Sequence, residues 1–305
     1  MTMTITLGRR RAICLLLLIW MLLLAGCDSQ NYRRAVGLQD EGQYADAAKL
    51  YESLGNYEDA PERLRQCRTM REAVDTLNKR NAELDVLTDA ARKVIRSEEK
   101  ALDETLREKL ETTVTEASAA KFIVSEYPKT EAEVRAFVSI ISDSDYSAEM
   151  TALRENTSAL ETSIKQYALV NAPSEAYVVK CLKKVKGVLG ISAVTEDNDP
   201  NCKLNKAHCY IAAVYFSHKY VKQENVYGKT VIDKGTDGGG CVEVYSTEED
   251  AIKRDEYLAA FDGTMLVSGS HRVVGTVVVR TSNEMKASQQ KKLEKAIIAE
   301  LTRVG

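Results

Sequence analysis

The chain has no Cys-x-x-Cys pair and no cluster of cysteine with histidine, and it holds only three histidines in 305 residues. That excludes a zinc site of the Cys/His kind. It lacks a basic excess: 42 Lys+Arg stand against 45 Asp+Glu. General nucleic-acid binding needs a basic footprint and is therefore excluded. By the same measure a polybasic grip on anionic lipid is not expected. No acidic residue falls in residues 1–27, and no glycine in 71–172, where Pro128 is the one proline. The first absence leaves an N-terminus of purely positive charge. The second argues for long helices, since glycine and proline are the residues that interrupt them.

What the N-terminus does contain is Arg9, Arg10 and Arg11, the apolar run Ala12–Leu24, and then Leu24-Ala25-Gly26-Cys27. A charged region, an apolar region and small residues in that order read as a secretory signal. The apolar run is short for a membrane span, which takes about 20 residues. The last four residues resemble the lipobox of bacterial lipoproteins. The resemblance implies that Cys27 receives a diacylglycerol thioether and that residues 1–26 are removed. The expected product is anchored by acyl chains to the outer face of the cytoplasmic membrane, and two chains suffice for stable anchoring. It would carry 39 basic and 45 acidic residues, net −6. Five cysteines would remain besides Cys27: Cys67, Cys181, Cys202, Cys209 and Cys241. An odd number leaves at least one free or paired between molecules. Cys202 and Cys209 flank a turn where a bridge is permitted outside the membrane.

Composition then divides the chain into 27–70, 71–172 and 174–305. In the first part Gly42 and Gly55 mark turns, and Gly-x-Tyr-x-x-Ala occurs at 42–47 and again at 55–60. The pattern resembles tetratricopeptide-type helical hairpins. It covers fewer repeats than a self-supporting array needs, so a short helical cap is the plainer expectation. In 71–172, Val74, Leu77, Leu84, Leu87, Ala91, Val94 and Ile95 form one apolar stripe. Leu102, Leu106, Leu110 and Val114 form another. Thr130 and Glu133 form a capping box ahead of Val134, Phe137, Val138 and Ile141. Met150, Leu153, Leu160, Ile164 and Tyr167 follow at heptad spacing. The spacing predicts a helical bundle or coiled-coil spacer, and it loosely resembles the three-helix modules of very large matrix-binding surface proteins.

Beyond Asn171-Ala172-Pro173 the composition turns to glycine and β-branched residues. Ser174 and Thr247 read as helix caps. Strands are expected at Ile191–Thr195, Cys209–Ser217, Val226–Ile232, Cys241–Tyr245, Thr264–Val267 and Arg272–Thr281, and a final amphipathic helix carries Leu293, Ile297 and Leu301. The fold class expected for the whole is multidomain: an all-α N-terminal region, then an α+β domain with a mainly antiparallel sheet and helices on one face.

Three patterns in this last part bear on chemistry. Asp197, Asp199, Asn201 and Asn205 place oxygens at alternate positions of an EF-hand-like loop, a spacing suited to calcium. Position six is Cys202 rather than glycine, and position twelve is His208 rather than glutamate; a solvated acidic turn is the alternative. Lys234–Gly240 could cradle an anion or serve as a hairpin connection. Ser268-Gly269-Ser270-His271 with Asp262 nearby has the residue types of a nucleophile system but no strand–turn–helix elbow, so no enzyme is expected. His208 and His218 read as surface histidines.

The segments Thr195–Asn201, Leu204-Asn205-Lys206, Ala213–Phe216, Gly235-Thr236-Asp237, Phe261–Thr264 and Gly269-Ser270-His271 resemble a C-terminal domain of uncharacterised Gram-positive surface proteins. Some of these are labelled homologues of an extracellular-matrix-binding protein. In that pattern glycine is usual where this chain has Cys202 and His208. The resemblance implies surface location and carries no established activity. The function expected is that of a cell-surface lipoprotein presenting a binding or adhesion domain on a helical spacer, with a protein or cell-wall/matrix partner and no nucleic acid. The alternative is an envelope assembly or scaffold protein acting through the helical region.

Overall fold

The computed structural model describes residues 27–264 and 269–305. The expected signal stretch lies outside the described residues. So does most of the strand expected at Thr264–Val267; Thr264 itself sits in a bend. The chain forms two compact units. One takes the described residues through Arg92 together with Thr112–Arg154; the other takes Lys93–Glu111 with Glu155–Gly305.

The first unit is helical. Among the described residues helix α1 takes 27–40, α2 is Tyr44–Leu54, and α3 is Ala60–Ile95. Helix α5 (Glu131–Asp143) lies within this unit, while α4 (Thr105–Ala120) and α6 (Ser147–Val170) belong to it only through 112–120 and 147–154. Gly42 adopts φ +77°, and its neighbour Gln43 donates its N–H to the Leu38 carbonyl at 2.8 Å, which closes α1. The Tyr127 ring lies so close to Gly42 that a Cβ there would collide with it. Ala35, Tyr44, Ala47, Tyr51, Met70, Leu77, Val134, Phe137 and Ile141 make the core of this unit. These are the helical-period positions, so the apolar stripes are core. The capping box at Thr130 forms as expected: the Glu133 N–H donates to Thr130 Oγ1, and the Thr130 N–H donates back to the Glu133 carboxylate at 2.9 Å.

The second unit carries an antiparallel five-stranded sheet. Strands β1 (Val188–Ala193), β2 (Ala212–His218), β3 (Gly239–Val244), β4 (His271–Val274) and β5 (Val277–Thr281) lie in the order β1-β2-β3-β5-β4. Three helices accompany it: α7 (Glu175–Leu182), α8 (Glu248–Ala259) and α9 (Ala287–Leu301). Val214, Phe216, Val242, Val244, Val277 and Val279 pack with Leu182 of α7 and with Leu293, Ile297 and Leu301 of α9. The alternate residues Ala213, Tyr215, Cys241 and Val278 pack with Ala251 and Leu258 of α8. An α+β architecture is thus present, but helices cover both faces, where the sequence suggested one. Both faces of the central strands are apolar, and that pattern belongs to a sheet covered twice.

Two expected strands differ. Arg272–Thr281 is a hairpin of β4 and β5, because Gly275 (φ +57°) and Thr276 turn the chain. Thr276 then secures the end of α6: its N–H donates to the Val170 carbonyl at 3.0 Å, and its hydroxyl accepts from the Ala172 N–H at 2.7 Å. Val226–Ile232 is a loop. Asp233 accepts the N–H groups of Lys229 and Thr230, so the carboxylate takes the place of a ladder partner.

Candidate functional site

Side chains alternate along a strand, so Tyr215, Glu243 and Arg280 all turn toward α8. Glu243 is 1% exposed at its side chain. Arg280 Nη1 donates to its Oε1 at 2.7 Å, and Arg254 Nη2 donates to the same oxygen at 3.1 Å. Arg254 Nε and the Tyr245 hydroxyl both donate to Oε2 at 2.9 Å. Burial opposes the charge on Glu243, but the Arg280 and Arg254 guanidinium groups outweigh it and hold the carboxyl below its usual range. Two guanidinium groups share one carboxylate, and Arg280 Nε is buried without a partner among the described residues.

A second polar cluster adjoins it. Asp199 is buried in the loop between β1 and β2. Its Oδ1 accepts from the Tyr210 hydroxyl at 2.6 Å and the Asn201 N–H at 3.0 Å; its Oδ2 accepts from the Lys203 and Leu204 N–H groups at 2.6 and 2.8 Å. Burial would raise the Asp199 carboxyl, yet the Tyr210 hydroxyl and these backbone donors keep it below the ordinary value. Asn201 Nδ2 donates in turn to the hydroxyls of Tyr210 and Tyr215, both at 3.3 Å.

Between these clusters and α8 lies an open cavity of about 250 Å³. Tyr210, Tyr245 and Tyr257 line it, with Lys203, Lys253, Arg254, His208, Cys209 and Asp250. The Arg254 and Lys203 charges sit 5.5 and 5.8 Å from the centroid of the Tyr257 ring. Tyr210 is fixed by the Asp199 cluster, and Tyr245 and Arg254 by the Glu243 cluster. The walls are therefore preorganised by buried hydrogen bonds rather than left to loop side chains. Aromatic faces beside cationic groups suit a ligand with a flat polar face and a negative group.

The residues singled out in the sequence are placed as follows. Glu196, Asp199, Cys202, Leu204, Asn205 and Lys206 line a cavity of about 320 Å³. Asp199 spends both carboxylate oxygens on the loop itself, Asn205 donates its amide to Glu196 at 3.3 Å, and Asp197 is exposed. Among the described residues no three His, Cys, Asp or Glu side chains group to hold a metal ion. Cys202, Asn205 and His208 adopt φ +52°, +62° and +60°. The loop thus takes left-handed conformations at the two positions where the resemblance expects glycine, at a local cost in strain. Cys202 and Cys209 are free thiols. Cys27, the residue expected to carry lipid, is exposed and helical.

Lys234–Gly240 is a connection into β3. A Cβ on Gly239 would lie 2.5 Å from the Phe216 carbonyl oxygen, so the glycine serves close strand approach. Ser270 pairs with Thr281 at 2.7 Å, while His271 turns to the other side, where Asp255 meets its Nδ1 at 2.6 Å and Asp262 its Nε2 at 3.4 Å. Ser268 lies outside the described residues. His208 is at the surface and faces Asp250, whereas His218, expected at the surface, is buried against Tyr220. The sequence reading missed Arg254 and Arg280, and it met Glu243 only as a distant carboxylate that could complete the acidic loop, not as the partner of two arginines. The signal was there in part: single charges inside the β-branched runs Val242-Glu243-Val244 and Val277-Val278-Val279-Arg280. No protein-family model matches this chain, and no curated protein or solved structure matches it.

Proposed function

We propose that this protein is a membrane-anchored surface lipoprotein whose sheet-bearing unit binds a protein or cell-wall partner rather than converting a substrate, with the helical region as spacer. The observation that carries this reading is the run Arg9–Cys27, together with the exposure of Cys27. The preorganised cavity between the tyrosines and α8 supports the binding half. Mass spectrometry of the processed protein tests the anchor. The expected product begins at Cys27 with a diacylglycerol thioether, and Cys27→Ala leaves the membrane fraction. A processed chain without lipid overturns it. Binding of residues 28–305 to purified wall glycan and matrix protein tests the rest. Lys203→Ala with Tyr257→Ala abolishes binding on this reading.

One observation favours the alternative, assembly through the helices. A groove of about 370 Å³ lies between α5 and the loop before it, lined by Tyr127, Pro128, Phe137 and Ile140. Binding that survives the Tyr257 variant and is lost with Ile140→Asp would transfer the function there. Calcium at Asp197, Asp199, Asn201 and Asn205 belongs to the same proposal. The ion would have to take over Asp199 oxygens that now accept four hydrogen bonds.

A further inference from the structure

The net charge of the chain is negative, yet its lysines are not evenly spread. Lys183, Lys184 and Lys186 follow α7, and Lys219 and Lys222 follow β2. The fold brings the two segments together. Val188 pairs with His218, the Lys219 N–H donates to the Gly187 carbonyl at 2.9 Å, and His218 Nε2 lies 3.3 Å from the Lys186 carbonyl oxygen. All five lysines are exposed, and none of their ammonium groups forms an ion pair among the described residues. Lys219 rests on the Tyr220 ring at 5.9 Å. The acids of this neighbourhood are Glu224, Asp233 and Asp237, all exposed on the connection from β2 to β3, and Glu300, which is held by Arg303. Lysines after a helix complement its dipole, which accounts for Lys183 and Lys184. It does not account for Lys186, Lys219 or Lys222.

The second observation is apolar. The register of β1 against β2 slips between Val188 and Gly190, so Leu189 is an extra residue in the strand. A bulge re-aims the side chain at its centre, and Leu189 stands 62% exposed beside the lysines. Tyr227, 96% exposed, is on the loop that leaves Lys222, and Val231 of that loop packs on Gly190 of β1. Buried His218 registers the field: burial lowers its pKa, and the Lys219 charge lowers it further against the opposing pull of the Lys186 carbonyl.

We infer that this edge of the sheet docks on an anionic phospholipid surface, the five lysines meeting lipid phosphates while Leu189 and Tyr227 enter the interfacial layer. Lysines near such a surface add attraction one by one, and amphipathic apolar residues set the depth. A soluble phosphate polymer would use the lysines but would have no need of Leu189 and Tyr227. That difference decides for lipid. The choice of a membrane rests on the anchored reading above; the charge segregation does not. Such docking departs from the expectation, drawn from net charge alone, that the chain makes no polybasic contact with lipid.

The test uses residues 28–305, which keep the described residues beyond Cys27 and lack the lipid. They are floated with vesicles of phosphatidylcholine alone or with 30 mol% phosphatidylglycerol, a mixture of about three anionic lipids in ten. Binding is expected only to the anionic vesicles and is lost at about 0.5 M salt, where the Debye length falls to a few ångströms. Lys183→Glu, Lys186→Glu, Lys219→Glu and Lys222→Glu together lower it at least tenfold. The control Lys291→Glu, Lys292→Glu and Lys295→Glu on α9, three reversals against four, lowers it less than threefold. Leu189→Ser with Tyr227→Ser lowers it severalfold while leaving the binding of soluble polyphosphate unchanged. Equal binding to both vesicle types, or equal loss in patch and control variants, overturns the proposal. Vesicle binding indifferent to Leu189 and Tyr227 overturns it too and makes the patch a site for phosphate polymer. Each outcome is read without Cys27, so failure here leaves the anchor standing, and failure of the anchor leaves this result standing.

Discussion

Replacing Glu243 with glutamine keeps the size of the side chain and removes its charge. The carboxylate now accepts four hydrogen bonds, three of them from guanidinium groups. After substitution the Arg254 and Arg280 side chains, 15% and 8% exposed, face an amide whose NH₂ group points at their own donors. Removing one member of a buried ion pair costs about 3–5 kcal/mol, because the remaining charge is stranded in a medium of low dielectric. In a domain of this size each kcal/mol is worth about 2–4 °C, so a fall in Tm of about 6–20 °C follows. Circular dichroism of residues 28–305 reads the change at neutral pH. Removing all three charges, with Glu243→Met, Arg254→Leu and Arg280→Met, strands nothing. Such replacements are often neutral or stabilising, and this triple variant melts above Glu243→Gln. A single variant within about 3 °C of the parent, or a triple variant no better than the single, refutes the account of the cluster. Acid supplies the sign. The folded Glu243 carboxyl lies below its unfolded value, so its contribution is fully present above the unfolded value near 4.3 and is lost as pH falls through the folded one. The gap between parent and Glu243→Gln therefore narrows on acidification.

Asp199→Asn removes a charged acceptor from four donors and lowers stability by about 2–4 kcal/mol, since hydrogen bonds to charged groups are worth about 1.5–3 kcal/mol each and the loop can recover some of them with water. Because the Asp199 carboxyl is also depressed, this variant flattens the fall in stability below about pH 4; an unchanged acid limb would argue against its role. Gly239→Ala drives a methyl against the Phe216 carbonyl and is expected to cost more than about 2 kcal/mol in a urea melt. Thr130→Ala, which breaks the capping box of α5, costs about 1 kcal/mol. On the calcium reading of the acidic loop, a hundredfold excess of the ion over its Kd adds about 2.7 kcal/mol, and Asp197→Ala with Asp199→Ala abolishes the gain. A melt indifferent to calcium and chelator removes the ion from the account.

Local chemistry was legible where one short segment decides the outcome. Thr130 with Glu133, Ser174, and Thr247 with Asp250 are caps written within four residues, and each forms. The apolar periods of α3, α5 and α9 led directly to their buried faces. Segments with mixed signals were not legible. The run Arg272–Thr281 is apolar enough to hide the turn at Gly275, because β4 and β5 are buried by different neighbours and neither alternates cleanly. Val226–Ile232 has strand composition, yet Asp233 claims its backbone. Of the candidate site, the acidic loop was visible as a turn. The role of Asp199 as its internal acceptor depends on Tyr210, eleven residues away. The Glu243 cluster joins two strands and a helix, and no window along the chain holds all three charges.

The division into two units has a consequence for cutting this protein apart. The chain passes from one unit to the other after Arg92, after Glu111 and after Arg154. A break at the compositional seam near Pro173 would discard Val170, to which Thr276 is bonded, and Lys100, which pairs with Glu248 at 2.6 Å. Neither unit is one continuous stretch of sequence. Protease nicks in the loops should therefore leave fragments that stay associated until denatured, and the sheet would travel between proteins in evolution only with its two helical segments, 93–111 and 155–170, in tow.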